Sequence, residues 1–190
     1  MIERIIIAGS GGQGIMLLGK IIAQASLNKG YQVSWFPTYG AEVRGGTAYC
    51  MVIISSEDIP SPYIDRPDTL IIMNQPSLLR FKHRIKNKGL LLINSSLISS
   101  AFKISFSHKD REGSRKAETN YIYLPFTDTA ISLGNIKVAN MVALGTYIAR
   151  KDILNKKVVF DAIEEIAPEE KRNLIEINKK AIEEGMRLVK

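Results

Sequence analysis

Short apolar runs alternate with amphipathic stretches along the chain. The runs rich in β-branched and aromatic residues predict seven strands, at residues 3–8, 31–36, 47–55, 69–73, 90–94, 103–106 and 121–124. Apolar positions at helical spacing predict six helices, at about residues 14–28, 76–89, 127–133, 138–150, 156–166 and 169–188. This order of elements is typical of an α/β fold with three layers (α/β/α), in which a mostly parallel sheet lies between helices.

Two segments modify this picture. Residues 31–36 and 47–55 are joined by ten residues without a helical pattern, so these strands pair antiparallel or splay apart, and we predict a mixed sheet. Residues 107–119 are polar throughout, which indicates a mobile loop or a segment that orders on a partner. Because no repeat or linker divides the chain, we expect residues 1–190 to form a single domain.

A glycine-rich turn stands between the first predicted strand and the first predicted helix. It reads Gly-Ser-Gly-Gly-Gln-Gly at residues 9–14 and matches the G-x-G-x-x-G pattern of Rossmann-like nucleotide sites. Backbone N–H groups in such a turn face outward at the positive end of the helix dipole, where they attract an anion. The candidate ligand-binding residues of the turn are Gly9, Gly11, Gly12, Gln13 and Gly14.

The sequence argues against two common ligands of such turns. A dinucleotide site has an acid at the end of the second strand, but here the strand ends at Pro37 and the first acid beyond it is Glu42. A P-loop needs Lys-Ser or Lys-Thr at the end of the turn, and none is present. An independent nucleotide-binding Rossmann-like protein is therefore the weakest functional alternative.

The loop after the second strand is the other informative segment. Arg44 can bind a phosphate or carboxylate through two hydrogen bonds, and Glu42 can hold it in place. The loop would lie over the same crevice as the glycine turn. Its candidate interface or site residues, besides Glu42, are Pro37, Tyr39, Gly40, Gly45, Gly46 and Thr47. The alternative is a structural turn whose glycines supply unusual backbone angles.

The net charge of +7 is concentrated in one region of the chain. Residues 80–120 hold ten Lys or Arg and three acidic residues, whereas the remainder is balanced. This excess fits a solvated helix and basic loop, a phosphate-bearing ligand or an acidic partner. Since no nucleic-acid module accompanies it, we expect no nucleic-acid binding.

Candidate chemistry is sparse. A single cysteine, Cys50, excludes an internal disulfide and a cysteine-based zinc site or cluster on this chain, and its place in an apolar strand predicts a buried, inert thiol. We expect His83 and His108 to be surface residues. We predict no catalytic residue and no metal ligand. With neither a signal peptide nor a membrane-length apolar run, we expect a cytoplasmic protein without membrane contact.

Three blocks of the sequence, in order, resemble one family. These are the glycine turn, the segment Pro-x-Tyr-Gly-x-Glu-x-Arg-Gly-Gly-Thr-Ala from Pro37, and residues 135–145, which contain Asn140. Together they resemble the gamma subunit, or gamma domain, of 2-oxoacid:ferredoxin oxidoreductases over nearly the whole chain. Ala41 and Val43 depart from the Pro and Met that this family often has there.

The resemblance implies a role in oxidative decarboxylation of a 2-oxo acid with coenzyme A to acyl-CoA, carbon dioxide and reduced ferredoxin. It implies that thiamine diphosphate, magnesium and iron–sulfur clusters lie in partner alpha, beta and ferredoxin-like subunits, that ferredoxin accepts the electrons, and that this chain alone is inactive. 2-Oxoglutarate is preferred over pyruvate, branched-chain oxo acids and indolepyruvate on overall resemblance only.

Two roles within such a complex stay open. In one, the glycine turn, Arg44 and the basic region neutralise the phosphates of coenzyme A. In the other, the turn and loop are purely an assembly surface, and a homodimer of the isolated chain is a further alternative.

Overall fold

A computed structural model describes residues 1–38, 47–99 and 120–189. These residues contain six strands: β1 (Ile2–Gly9), β2 (Gln32–Thr38), β3 (Ala48–Ser55), β4 (Thr69–Ile72), β5 (Leu90–Asn94) and β6 (Asn120–Leu124). The α-helices are α1 (Ile15–Asn28), α2 (Gln75–Phe81), α3 (Phe126–Ser132), α4 (Ala139–Arg150), α5 (Lys156–Ile166) and α6 (Ile175–Arg187). The strand predicted at residues 103–106 and the polar segment 107–119 lie outside the described residues.

The strands form one mixed sheet in the order β2-β3-β1-β4-β5-β6. β3 runs antiparallel to both of its neighbours, whereas β1, β4, β5 and β6 pair in parallel. Of the two arrangements left open for the second and third strands, antiparallel pairing is therefore the observed one. The predicted mixed α/β sheet is confirmed, and β3 is the only reversed strand among those described.

Alternation along β1 divides the core between the two faces of the sheet. Ile5 and Ile7 lie in the larger core with α1 and α3 to α6, and Ile6 and Ala8 lie in a smaller core that α2 covers. All four side chains are fully buried. The run of apolar residues in β1 thus reflects a central strand that is covered on both sides.

Two predicted helices are shorter than their sequence patterns. α2 ends at Phe81 and continues as a 3-10 turn over Lys82–Arg84, because Ile85 adopts an extended backbone (φ −59°, ψ 137°) and is buried. At the C-terminus, residues Glu169–Leu174 form a 3-10 helix before α6 begins. A short 3-10 turn, Ile136–Val138, likewise precedes α4.

Helices α4 and α6 cross at unusually close range. A Cβ atom at Gly145 would lie 2.8 Å from the carbonyl carbon of Ile182, and one at Gly185 would lie 2.8 Å from that of Val142. Only glycine allows the two backbones to approach in this way. The crossing fixes α4 against α6 along its middle turns.

The described helices include none that is long and apolar enough to cross a membrane.

Candidate functional site

The carboxyl ends of the parallel strands form one edge of the sheet, and the two predicted loops attach there. The glycine turn, residues 9–14, follows β1. The segment 39–46 leaves from Thr38 at the end of β2 and returns at Thr47, next to Ala48, which pairs with Gly9. In open α/β sheets this edge is the usual place for a ligand.

Of the loop residues predicted as site residues, two are described. Pro37 pairs with Cys50 within the sheet, and Thr47 precedes β3; both are half-buried. The other candidates lie outside the described residues, so their roles stay predictions. These are Tyr39, Gly40, Glu42, Arg44, Gly45 and Gly46.

The glycine turn needs its glycines for two different reasons. Gly12 and Gly14 have positive φ angles of 86° and 69°, which side chains of other residues rarely adopt. Gly9 is limited by space, since a Cβ there would lie 2.9 Å from the Cβ of Met73 and 2.7 Å from Cδ1 of Ile15. At Gly14 an added Cβ would also collide with the side-chain amide of Asn140.

The side chain of Gln13 closes the turn from within. Its Oε1 accepts a hydrogen bond from the Ser10 N–H at 2.8 Å, and its Nε2 donates to the Met73 carbonyl at 3.4 Å. The Gln13 N–H donates to the Ser10 carbonyl. Gln13, which we predicted to contact a ligand, therefore holds the shape of the turn with its side chain.

Other N–H groups of the turn remain available. Those of Gly11, Gly12 and Gly14 donate to no acceptor among the described residues. Gly14 is the N-cap of α1, which has neither a side-chain cap nor an acidic residue in its first turn. Since Gly11 and Gly12 are exposed, these donors and the helix dipole together can bind an anion.

Asn140 supports the turn from the first turn of α4. Its Nδ2 donates to the Gly14 carbonyl at 3.1 Å, and only 2% of the residue is exposed. The same carbonyl accepts the Leu18 N–H, the first hydrogen bond within α1. Asn140, predicted as a site or interface residue, thus lies at the turn as a buried clamp.

Sequence reasoning missed a second buried amide at this edge. Asn94, at the end of β5, donates from Nδ2 to the Met73 carbonyl at 3.2 Å and to Oγ1 of Thr127 at 2.8 Å. The Thr127 N–H donates back to Asn94 Oδ1 at 3.3 Å. Met73 therefore accepts from both Gln13 and Asn94, which ties the glycine turn to β4, β5 and α3. An Asn at the buried end of a predicted strand was the available signal.

Two expectations about other side chains are confirmed. Cys50 is fully buried, its Sγ lies 3.6 Å from the Ile15 carbonyl, and burial raises the pKa of its thiol to about 12. His83 is exposed, and His108 lies outside the described residues. Nowhere in residues 1–38, 47–99 and 120–189 do three His, Cys, Asp or Glu side chains group to hold a metal.

Within residues 80–99, the described part of the basic region, several basic side chains bond within the protein. Lys86 Nζ pairs with Asp68 Oδ1 at 2.6 Å, just before β4 and so at the opposite edge of the sheet. Arg84 donates to the backbone carbonyls of Ile64 and Asp65. Arg80 lies over the ring of Tyr49, 5.2 Å from its centroid. Lys86 is therefore a structural residue, distant from any ligand of the turn.

Comparisons with known proteins place this geometry in a family. The family model described as pyruvate ferredoxin/flavodoxin oxidoreductase matches residues 4–188. The chain is 35% identical over 183 residues to ketoisovalerate oxidoreductase subunit VorA of Methanothermobacter marburgensis, covering 96% of this chain and 35% of that protein. It is 32% identical over 191 residues to 2-oxoglutarate synthase subunit KorC of Methanothermobacter thermautotrophicus, covering 97% of each.

A solved structure shows the same fold over the same length. The gamma subunit of a keto/oxoacid ferredoxin oxidoreductase from Geobacter sulfurreducens superposes with a TM-score of 0.77 at 27% identity, covering 97% of this chain and 96% of that one. This chain thus spans about a third of VorA but nearly all of KorC and of the Geobacter subunit. The chain belongs to the pyruvate ferredoxin/flavodoxin oxidoreductase family.

Proposed function

We propose that this chain is the gamma subunit of a multisubunit 2-oxoacid:ferredoxin oxidoreductase, with residues 1–190 forming one gamma domain. The observation that carries this proposal is the end-to-end match with KorC, a separate subunit of similar length, together with the family match over residues 4–188. The complex would convert a 2-oxo acid and coenzyme A into acyl-CoA, carbon dioxide and reduced ferredoxin. We prefer 2-oxoglutarate as the substrate, since KorC is named as a subunit of 2-oxoglutarate synthase.

The chemistry of the reaction would belong to partner subunits. Thiamine diphosphate with magnesium would supply the carbon chemistry in the alpha and beta subunits, and a ferredoxin-like subunit would carry electrons through iron–sulfur clusters to ferredoxin. Cys50 does not fit a cluster ligand, because it is the one cysteine and is fully buried beside the Ile15 carbonyl. This chain would bind and position, and would not itself transfer electrons.

We further propose that the glycine turn binds a phosphate group of coenzyme A. Support comes from the three N–H donors of Gly11, Gly12 and Gly14, from the uncapped α1, and from the absence of an acid in its first turn. The half-buried amide of Gln13 and the buried amide of Asn140 hold these donors in place. Arg44 would add a charged contact from the neighbouring loop.

The alternative is that the turn and the loop after β2 serve assembly alone. The hydrogen bonds of Gln13 and Asn140 favour this alternative. The groups that make these bonds are engaged within the protein, so they are not available to a ligand.

A matched set of variants at one position separates the two roles. Gly12 has a positive φ and open space around it, so Gly12→Asn and Gly12→Asp impose the same backbone strain and differ mainly by a negative charge. Gly30, just beyond the other end of α1, has a φ of 82° and equal space, so Gly30→Asp is the control for strain and charge elsewhere.

The variants would be reconstituted with the partner subunits and assayed with 2-oxoglutarate and with pyruvate. If the turn binds a phosphate, Gly12→Asp should raise the KM for coenzyme A about tenfold, whereas Gly12→Asn and Gly30→Asp should change it about twofold or less. The complex should still elute as one species. Equal KM values for the Asp and Asn variants would count against coenzyme A binding, and loss of assembly in Gly12→Asp alone would favour the assembly role.

A further inference from the structure

A groove on the face of the sheet that α1 covers has no role in the function proposed so far. It is a cavity of about 300 Å³ between α1, the turn before α4, the end of α5 and the start of α6. Its floor is apolar, and is formed by Ile21, Val138, Ile163 and Ile175. We call this cavity, with its rim, the α1–α6 groove.

The rim of the groove is apolar as well as the floor. Leu17 and Leu174 both line the cavity, yet 43% and 37% of these residues are exposed. Ile136, directly before the lining residue Lys137, is 57% exposed. Large apolar side chains grouped at the mouth of an apolar cavity are typical of a surface that another molecule covers.

The charged groups of the groove are all of one sign. Its lining includes Lys137 and Lys171 but no Asp or Glu. Within the described chain, neither lysine pairs with a carboxylate, whereas Lys156 pairs with Glu183 at 2.9 Å and Lys179 pairs with Glu164. Three asparagine side chains, Asn135, Asn140 and Asn178, complete the polar part of the lining.

We propose that the α1–α6 groove docks a protein segment of a partner subunit, in which a large apolar side chain is flanked by Asp or Glu. The apolar side chain would fill the cavity, and the acidic residues would pair with Lys137 and Lys171. A small ligand confined to about 300 Å³ would leave Ile136, which lies outside the cavity lining, exposed, whereas a protein segment covers floor and rim together. The proposal rests on the proposed function, since it requires that the chain is a subunit.

The groove is continuous with the glycine turn. Asn140 lines the groove and clamps the Gly14 carbonyl, and Leu17 belongs to the first turn of α1. A partner seated in the groove therefore lies beside the N-terminus of α1. This is the placement expected if the ligand site at the turn is completed by another subunit.

Charge reversal in the groove and at a control site outside it tests the proposal. The complex is first reconstituted from the wild-type chain and its partner subunits, and the affinity of this chain is measured by biolayer interferometry at low and high salt. Lys137→Glu with Lys171→Glu should weaken binding at least tenfold and flatten its salt dependence. Lys180→Glu, an exposed site on α6 outside the groove, should change binding less than twofold.

Cross-linking gives a second readout that does not depend on the charge variants folding well. Because Cys50 is buried, a benzophenone maleimide labels only a new cysteine in Leu174→Cys. Ultraviolet irradiation of the assembled complex should join residue 174 to an acidic segment of one partner subunit, identified by mass spectrometry, and a Lys180→Cys control should not.

Four results would overturn the proposal. Wild-type affinity in the charge-reversed double variant, with no cross-link from residue 174, would show that the groove is not the docking site. A cross-link to a second copy of this chain, or binding of octanoate in place of a protein segment, would assign a different occupant. If the wild-type chain enters no complex at all, the proposed function fails and the docking proposal fails with it.

Discussion

Asn140 connects α4 to the glycine turn, and its replacement by aspartate tests how that turn is held. The change keeps the shape of the side chain but replaces the Nδ2 donor, 3.1 Å from the Gly14 carbonyl, with a carboxylate oxygen. A hydrogen bond worth about 1 kcal/mol is lost, and a charge is buried next to a carbonyl oxygen, which costs about 2 kcal/mol or more. The carboxyl group can instead take up a proton, which for a group with a pKa of about 3.9 costs about 5 kcal/mol near pH 7.5. This cost is the upper limit of the charge penalty. We therefore expect Asn140→Asp to lower the free energy of unfolding by about 3 to 5 kcal/mol near pH 7.5.

The deficit should also depend on pH in a definite direction. Burial raises the pKa of the new carboxyl group above its unfolded value of about 3.9, so the folded state holds the proton more tightly than the unfolded state. The deficit is then smallest below the unfolded pKa and grows as the pH rises above it. Near pH 5 the part of the deficit that comes from the buried charge should be at most about 1.5 kcal/mol. The protonated carboxyl group can then donate a hydrogen bond to the Gly14 carbonyl.

Urea unfolding followed by circular dichroism, on wild type and variant at both pH values, measures this difference. Asn155→Asp is the matched control, because Asn155 caps α5 through Oδ1, which accepts the Val158 N–H at 3.0 Å, and aspartate retains that oxygen. Its effect should be within about 0.5 kcal/mol. An Asn140→Asp deficit below about 1 kcal/mol near pH 7.5, or one that does not change with pH, would refute the reasoning.

Three further predictions concern the stability of the fold. Gly145→Ala should cost about 2 kcal/mol in urea unfolding, because its Cβ would lie 2.8 Å from the Ile182 carbonyl carbon, and a variant as stable as wild type would contradict the close crossing of α4 and α6. The difference in unfolding free energy between wild type and Cys50→Ala should shrink by about 2 kcal/mol between about pH 8 and pH 10.5, because in this range the thiol ionises only in the unfolded state. A constant difference would contradict the raised pKa of about 12. Lys151→Met should destabilise the protein by about 3 kcal/mol in thermal unfolding, because Lys151 pairs with the buried Glu3 at 3.0 Å, and adding Glu3→Gln should recover much of the loss. An unchanged melting temperature in Lys151→Met would contradict that prediction.

The sequence predicts most of the described strands and helices to within one or two residues, but not the end of α2 or the start of α6. The strand at residues 90–94 coincides with β5, and that at 3–8 lies within β1, because buried apolar runs bounded by turn residues leave few alternatives. α2 ends early although Phe81 and Ile85 have helical spacing. Ile85 reaches the core through an extended backbone, and the Lys86 N–H donates to the Pro67 carbonyl. These contacts join distant parts of the chain, so the local pattern cannot show them.

The same limit applies to the glycine turn. Its place at the end of β1 followed from local order alone, but the roles of its polar residues did not. Gln13 bonds a carbonyl 60 residues away, and Asn140 bonds one 126 residues away. Asn94, which shares the Met73 carbonyl with Gln13, belongs to no motif, and its place at the end of an apolar strand does not identify its partners.

These long-range bonds change how the turn would bind an anion. A free glycine-rich loop must lose conformational entropy when it orders around a ligand, and that loss weakens binding. Here the backbone of the turn is held before any ligand binds. Gln13 and Asn140 hold it directly, and Asn94 holds it through the Met73 carbonyl. The left-handed angles of Gly12 and Gly14 lie within this held segment, so we expect the N–H groups of the turn to need little reordering to bind an anion. We therefore expect the amides that hold the turn to contribute to anion affinity along with the N–H donors.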